Sequence, residues 1–414
     1  MSVRPAALDR ERIRGLFDLR ANAGAFSGGD YTGDPHPRLH ELRESGPVHP
    51  GIVHELVGFE SSAFFHGLPE PDRPHFSAFS FEACDAAYRN EEVFRSSPEP
   101  VDAAGIGVMN SMLVMNGVQH RRYRSLVQPS FVPAKAHWWI ERWIQETVNT
   151  LVDGFVDEGR AELNVDFCAS IPVLTITGSF GIPVEQALDV RAAFGDPMKV
   201  VEFLTPIVAD RREDPKDDLI SVLVQAEIKD EDGVTHRLSD PEIYSFAILL
   251  LMAGSGTTWK QMGITLAALL TRPDALDAVR ADPTLLKSAI EESVRWEPTD
   301  PMFSRWVADD IDFFGTKLPK GSVLHLSLGA ANRDPARWER PDEYDISRPP
   351  KPTLGFGGGP HVCLGMHLAR VEINVGIGAL LERLPNLRLD PDATAPEVVG
   401  FYERGVMDIP VVWG

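Results

Sequence analysis

The chain has 414 residues, of which 43% are hydrophobic, 24% charged and 8% aromatic, a globular composition that excludes a collagen-like, a disulfide-dense or a disordered protein. Its 61 Asp and Glu against 40 Lys and Arg leave a formal charge of −21, which opposes general nucleic-acid binding because that needs a basic footprint. Cys84, Cys168 and Cys363 are too few and too scattered for a disulfide framework or a zinc knuckle, so a reducing, cytoplasmic compartment is expected.

The amino terminus lacks the apolar core of a signal peptide, and no run approaches the roughly 18 apolar residues that span a bilayer, so no membrane segment is expected. Residues 1 to 100 are rich in Gly, Pro and Phe and are read as short strands and loops. From about residue 118 the text turns helical: apolar residues at three- and four-residue spacing predict helices over 120–127, 134–158 and 184–194. Asp240-Pro241-Glu242 reads as a helix start with a capping Asp, and Arg272-Pro273 as its end. About 30 helical residues span roughly 45 Å, and the apolar run 246–253 puts this helix in the core. Helices over 273–280 and 283–296 follow, then strands over 311–314 and 323–328, a turn-rich segment 332–350 and a last long helix over 365–384. With no internal repeat, the reading is one mainly α domain, 1–414, with small β-sheets from about 40–100 and 305–330 and helical parts over 118–300 and 365–385.

The most specific chemistry lies in Phe356-Gly357-Gly358-Gly359-Pro360-His361-Val362-Cys363-Leu364-Gly365, a glycine-rich loop running into a helix. Glycines let backbone approach a bulky ligand, and a cysteine before a helix amino terminus meets free N–H groups that favour the thiolate. A thiolate there suits an axial ligand of haem iron. A buried structural cysteine is the plainer reading of a lone Cys, and a zinc site from His361, Cys363 and His367 lacks a fourth ligand nearby.

The pattern Phe-Gly-x-Gly-x-His-x-Cys-x-Gly over Phe356 to Gly365 resembles the haem-binding loop of the cytochrome P450 family. Glu292-Ser293-Val294-Arg295 resembles that family's Glu-x-x-Arg ion pair, and Ala330 to Pro335 with Pro341 to Tyr344 its meander. Glu292 and Arg295 are three apart on one helix face, so they can pair with each other and with a meander residue such as Arg348. The resemblance implies the cytochrome P450 fold with a long central helix over haem b, Cys363 as the iron ligand, and Phe356, Gly357 and Gly365 as part of the cofactor loop. It also implies that His120, Arg124, Arg305 and His361 neutralise the haem propionates; alone, each would be read as solvated surface charge. One departure is Met115-Asn116-Gly117-Val118-Gln119 in place of the usual Asp-Pro-Pro before the histidine.

On the central helix, Ala253-Gly254-Ser255-Gly256-Thr257-Thr258 resembles the family's oxygen-activation motif. Gly254 and Gly256 would open a groove for dioxygen and water, and Thr257 would hydrogen-bond the oxygen; the plain alternative for Thr257 is a bond back to the Ala253 carbonyl. The family's acid is replaced by Gly256, and no carboxylate on this turn substitutes for it. That leaves solvent relay as the favoured route for protons, with peroxide-driven chemistry, rearrangement or coupling, and a non-catalytic haem or ligand-binding protein as alternatives.

Between Gly181 and Ser221 the span for the two lid helices is shorter than the resemblance leads one to expect. By family position the substrate contacts are 106–114, 200–204, Leu250, Ala253, Met302, Phe303 and Phe401, nearly all apolar, which suits an apolar or aromatic small molecule. The chain contains no flavin or nicotinamide fingerprint, so the resemblance implies electrons from a ferredoxin served by a ferredoxin reductase, docking at Arg121, Arg122 and Lys351. A monomer is expected.

Overall fold

The computed structural model describes residues 9–20, 31–60, 72–229 and 233–414. Most of the stretch on which the signal-peptide reading rests, residues 1–8, lies outside them.

The molecule is organised about one helix, Asp240–Leu270, 31 residues long. Its start is a capping box: the Ser239 N–H donates to Glu242 Oε2 at 2.8 Å, so Ser239, not Asp240, is the cap. The helix is buried almost all round, which is why its sequence shows an apolar run instead of a stripe. Helices Ser170–Ser179, Leu286–Trp296 and Met366–Arg383 pack against it.

Helix Ser170–Ser179 (Ser-Ile-Pro-Val-Leu-Thr-Ile-Thr-Gly-Ser) was not legible as a helix. It is buried on nearly every side and rich in β-branched residues, so neither period nor propensity marks it. The expected helix over 134–158 ends at Asp153 and contains a π-turn at Ile140–Ile144. Beyond it, Gly154 and Phe155 bond three residues back, and Phe155 turns inward onto Phe167 and Trp413 at centroid distances of 6.3 and 5.9 Å. Between Gly181 and Ser221 stand a six-residue helix, Ala187–Ala192, and a 17-residue helix, Pro197–Glu213.

The amino-terminal third and the segment after residue 300 share one five-stranded sheet, in the order Val48–Pro50, His75–Ala78, Val323–Ser327, Met302–Val307, Phe94–Arg95. Val323–Ser327 runs parallel to His75–Ala78 and antiparallel to Met302–Val307, with Leu324 opposite Arg305. The predicted strand 311–314 stops at Phe313, because Phe314 (φ 53°) and Gly315 (φ 81°) form the hairpin turn.

Segment Gly359–Arg383 is long and apolar enough to cross a membrane, with mean hydropathy 1.2 over its most apolar 18 residues, which the sequence reading did not anticipate. In the fold, Leu368, Ile373, Ile377 and Leu380 of this segment face the core.

Two buried charge networks tie the helices to the segments around them. Arg295 donates to Glu292 from Nε and Nη2, both at 2.8 Å, and to the carbonyls of Asn332, Pro341 and Glu343. Arg348 reaches Glu292 Oε1 at 3.2 Å. Two residues on from Arg295, Glu297 takes Arg404 at 2.6 Å, His36 at 3.1 Å and Arg333 at 3.3 Å. Burial alone would raise the Glu297 carboxyl, but Arg404, His36 and Arg333 together hold it well below the usual carboxylate range. Glu297→Ala strands two buried guanidiniums and should cost about 3–5 kcal/mol, read from urea denaturation.

Histidines give the fold an acid-sensitive seam. His325 meets His75 at 2.9 Å and Ser304 at 2.9 Å, and burial, then His75 and His54, pull it from 6.5 down to about 3. The unfolded chain therefore takes up this proton first as pH falls. Stability from this group is full above pH 6.5 and is lost between there and about 3. His325→Gln should flatten the fall in melting temperature across that window.

Candidate cofactor site

The loop expected to cradle a ligand is itself cradled by the protein. Gly357 (φ +71°) and Gly359 (φ +62°) occupy the left-handed region, and a Cβ on Gly359 would lie 2.0 Å from the Tyr88 carbonyl oxygen. A Cβ on Gly358 would come within 3.2 Å of the Tyr88 side chain. Gly358 and Gly359 thus let the loop close on helix Phe81–Arg89, a role in protein packing that the sequence reading had given to a ligand. The Cys363 N–H donates to the Phe356 carbonyl at 2.9 Å, which closes the loop, and the Arg370 guanidinium lies 4.6 Å from the centre of the Phe356 ring.

Cys363 is deep in the molecule yet keeps open surface, so its sulfur faces an internal void. Burial raises its thiol, and the Gly365 N–H and the charges of Arg124 and Arg370 only partly oppose this. The helix start therefore does not by itself yield a thiolate, contrary to expectation; a metal cation would, since a coordinating thiol is deprotonated outright. Among the described residues no group of three or more His, Cys, Asp or Glu is placed to hold a metal ion, which removes the His361, Cys363, His367 zinc alternative.

Four basic residues from three parts of the chain converge near this sulfur. His120, on helix Gly117–Val127, stacks on His361 with ring centres 3.8 Å apart and planes 20° from parallel. Arg305, from strand Met302–Val307, is buried with its guanidinium 5.0 Å from the Tyr88 ring centre. Burial first, then Arg124, Arg121 and Arg305, pull His120 down to about 4, and burial with His120, Arg305 and Arg124 pulls His361 lower still. His120 Nδ1 is buried with no partner, and no ion pair is recorded for Arg124 or Arg305 among the described residues. Such a set lacks anions. It fits a ligand with two carboxylates lying beside a sulfur donor, as the haem propionates require.

The central helix presents a different face from the one the motif suggested. Thr257 Oγ1 donates to the Ala253 carbonyl at 3.0 Å, and Ser255 Oγ to Leu251 at 2.7 Å. A Cβ on Gly256 would meet nothing within 4 Å, so this position is open. A Cβ on Gly254 would meet Ile176 at 3.1 Å; this glycine serves contact with helix Ser170–Ser179 and opens no groove. Of the expected pocket residues, Ala253 is exposed and Phe303 partly so. Met302 (2% exposed) and Phe401 (0%) pack instead with Leu39, Val53 and Phe79, and Leu250 (7%) lies in the main core, so these three correct the sequence reading. Tyr88, which packs on the glycine loop and beside Arg305, and Asp300, whose charge acts on Cys363, were missed by sequence reasoning; an isolated Tyr or Asp carries no local pattern that would have marked it.

Fold and site together define a helical protein in which a cysteine loop lies beside a basic cluster that lacks anions. The family model described as Cytochrome P450 matches residues 189–397. Cytochrome P450 monooxygenase PikC of Streptomyces venezuelae is 31% identical, over 93% of this chain and 92% of its own. Vitamin D(3) 25-hydroxylase of Pseudonocardia autotrophica is 34% identical, over 93% and 95%. Among solved structures, P450BioI in complex with an acyl carrier protein ligated to hexadec-9Z-enoic acid superposes with a TM-score of 0.77 at 28% identity, covering 92% of this chain and 99% of that one. The chain belongs to the cytochrome P450 family, and like its relatives it is an oxidoreductase, a P450 monooxygenase of bacterial type.

Gly359→Ala should abolish cofactor uptake: the Cβ collides with the Tyr88 backbone, in a conformation that alanine rarely adopts. The absorbance ratio of the Soret band to protein in the purified variant measures this.

Proposed function

We propose that Cys363 would ligate the iron of haem b, that His120, Arg124, Arg305 and His361 would bind its propionates, and that 1–414 acts as one catalytic domain. The observation that carries the reading is the convergence of Cys363 on a four-residue basic cluster with an orphaned His120 Nδ1. When bound, thiolate-ligated haem activates dioxygen, so that one oxygen atom enters the substrate and the other leaves as water.

The protein's own share is positioning and proton management. Thr257 Oγ1 holds its hydrogen on the Ala253 carbonyl and can turn it toward the cavity. The space at Gly256 admits a water beside it, which supplies the proton that the family's acid would otherwise pass on. Ala253, exposed, and Phe303, partly exposed, are apolar, which suits an apolar or aromatic substrate.

The electron donor in this proposal is a ferredoxin with its reductase, meeting a monomeric, cytoplasmic enzyme that binds neither nucleic acid nor membrane. The docking patch is smaller than the sequence suggested: Arg121 pairs with Glu91 at 2.5 Å, and Lys351 donates to the Arg337 carbonyl at 3.0 Å. Gly256 favours one second reading, a peroxide-driven or rearranging enzyme of the same fold, which oxygen consumed per product distinguishes.

With carbon monoxide, the dithionite-reduced protein should show a strongly red-shifted Soret band that Cys363→Ser loses; a wild type without the band would overturn the assignment. Thr257→Ala should keep that band while product per oxygen consumed drops roughly tenfold, the scale of one lost hydrogen bond in a proton-transfer step.

A further inference from the structure

Asp300 is a carboxylate that the protein positions firmly and leaves unpaired. The Thr299 N–H donates to Gln261 Oε1 on the central helix at 3.0 Å, Thr299 Oγ1 to the Arg404 carbonyl at 2.8 Å, and the Pro301 carbonyl accepts from the Gly329 N–H at 2.9 Å. Both neighbours are thus clamped, and Asp300 is held beside the helical turn that follows Thr257. Its Oδ1 is buried without a partner, while the residue as a whole keeps some open surface. That combination marks a group at the edge of a void, with one oxygen enclosed by protein. Asp300 stands between the central-helix turn that follows Thr257 and strand Met302–Val307, which carries Arg305, and its charge acts on the thiol of Cys363 and the phenol of Tyr88.

The nearest cation does not satisfy it. Lys260, 3% exposed at its side chain, is committed to Glu403 at 2.6 Å. The other cation close by, Arg191, faces Glu403 and not Asp300, so Asp300 has no cation of its own, and a buried unpaired carboxylate is costly to keep ionised. Burial, opposed by Lys260 and aided by Glu403, accordingly pushes Asp300 up to about 7. A divalent metal does not fit beside the Lys260 ammonium, and no metal cluster is formed there among the described residues. What the cavity lacks is a monovalent cation with an N–H to give.

We propose that Asp300 binds a protonated amine of the substrate, so that the molecule oxidised is an apolar or aromatic body carrying a basic nitrogen. Asp300 is in this reading a specificity-determining residue, and the inference rests on the haem-thiolate pocket proposed above. Ala253 and Phe303 offer apolar contact for the body, and the carboxylate fixes which end of it enters the pocket.

The test is calorimetric titration of the haem-loaded enzyme at about pH 8, where both Asp300 and the amine are charged, with N,N-dimethyl-4-phenylbutylamine and with neutral 4-phenyl-1-butanol. The amine should bind roughly tenfold more tightly than the alcohol, the effect of one charge-assisted hydrogen bond. Asp300→Asn should erase that preference with the alcohol unchanged, and Asp300→Glu should keep it. Equal affinities in the wild type, or a preference that survives Asp300→Asn, would overturn the proposal. The carbon monoxide band is recorded on each sample: a wild type that shows the band but no amine preference refutes the role of Asp300 alone, whereas a wild type without the band refutes the pocket and this inference together.

Discussion

The guanidinium of Arg295 is the fixed point from which the cofactor site is built. Every one of its directions is taken inside the protein, by both oxygens of Glu292 and by the carbonyls of Asn332, Pro341 and Glu343. Asn332 in turn accepts the Leu354 N–H at 2.8 Å, just before the loop that carries Cys363. A planar fork of donors suits this task because its geometry is rigid; a lysine would offer the charge but not the directions. Helix Leu286–Trp296, the turn-rich segment and the cysteine loop are therefore one mechanical unit.

The second organising feature is electrostatic and unfinished. Collecting His120, Arg124, Arg305 and His361 with no carboxylate paired to them costs free energy, visible in the depressed histidines. Protein interiors pair their charges unless something else arrives to pair them. In the proposed reading a dianionic cofactor would pair with the basic cluster, and the unpaired Asp300 carboxylate makes the opposite demand. The pocket thus carries charge of both signs at separate places, which orients whatever enters it.

Glycines show how one residue type meets different needs within a few residues. Gly359 is required by backbone contact and a left-handed φ, Gly254 by contact with Ile176, while Gly256 faces open space. The motif text treats Gly254 and Gly256 as a pair. Only their surroundings separate a packing glycine from a vacant one.

Much of the architecture was legible in one dimension. The ordered motifs from Glu292 to Gly365, the proline and acid at the start of the central helix and the apolar spacing of the surface helices are local signals, and local sterics and hydrogen bonding act within a few residues. Helix Ser170–Ser179 was not legible, because a segment buried on all sides carries no periodic contrast. The same holds for the site. Cys363 and the basic set follow from pattern, but the burial of Met302 and Phe401, the close fit of Gly254 and the isolation of Asp300 depend on which distant segment lies alongside. The sequence by itself determined the elements and the cofactor loop; the tertiary structure alone decided which side chains face the cavity and which charges go unpaired, because burial and Coulomb interaction act through space and not along the chain.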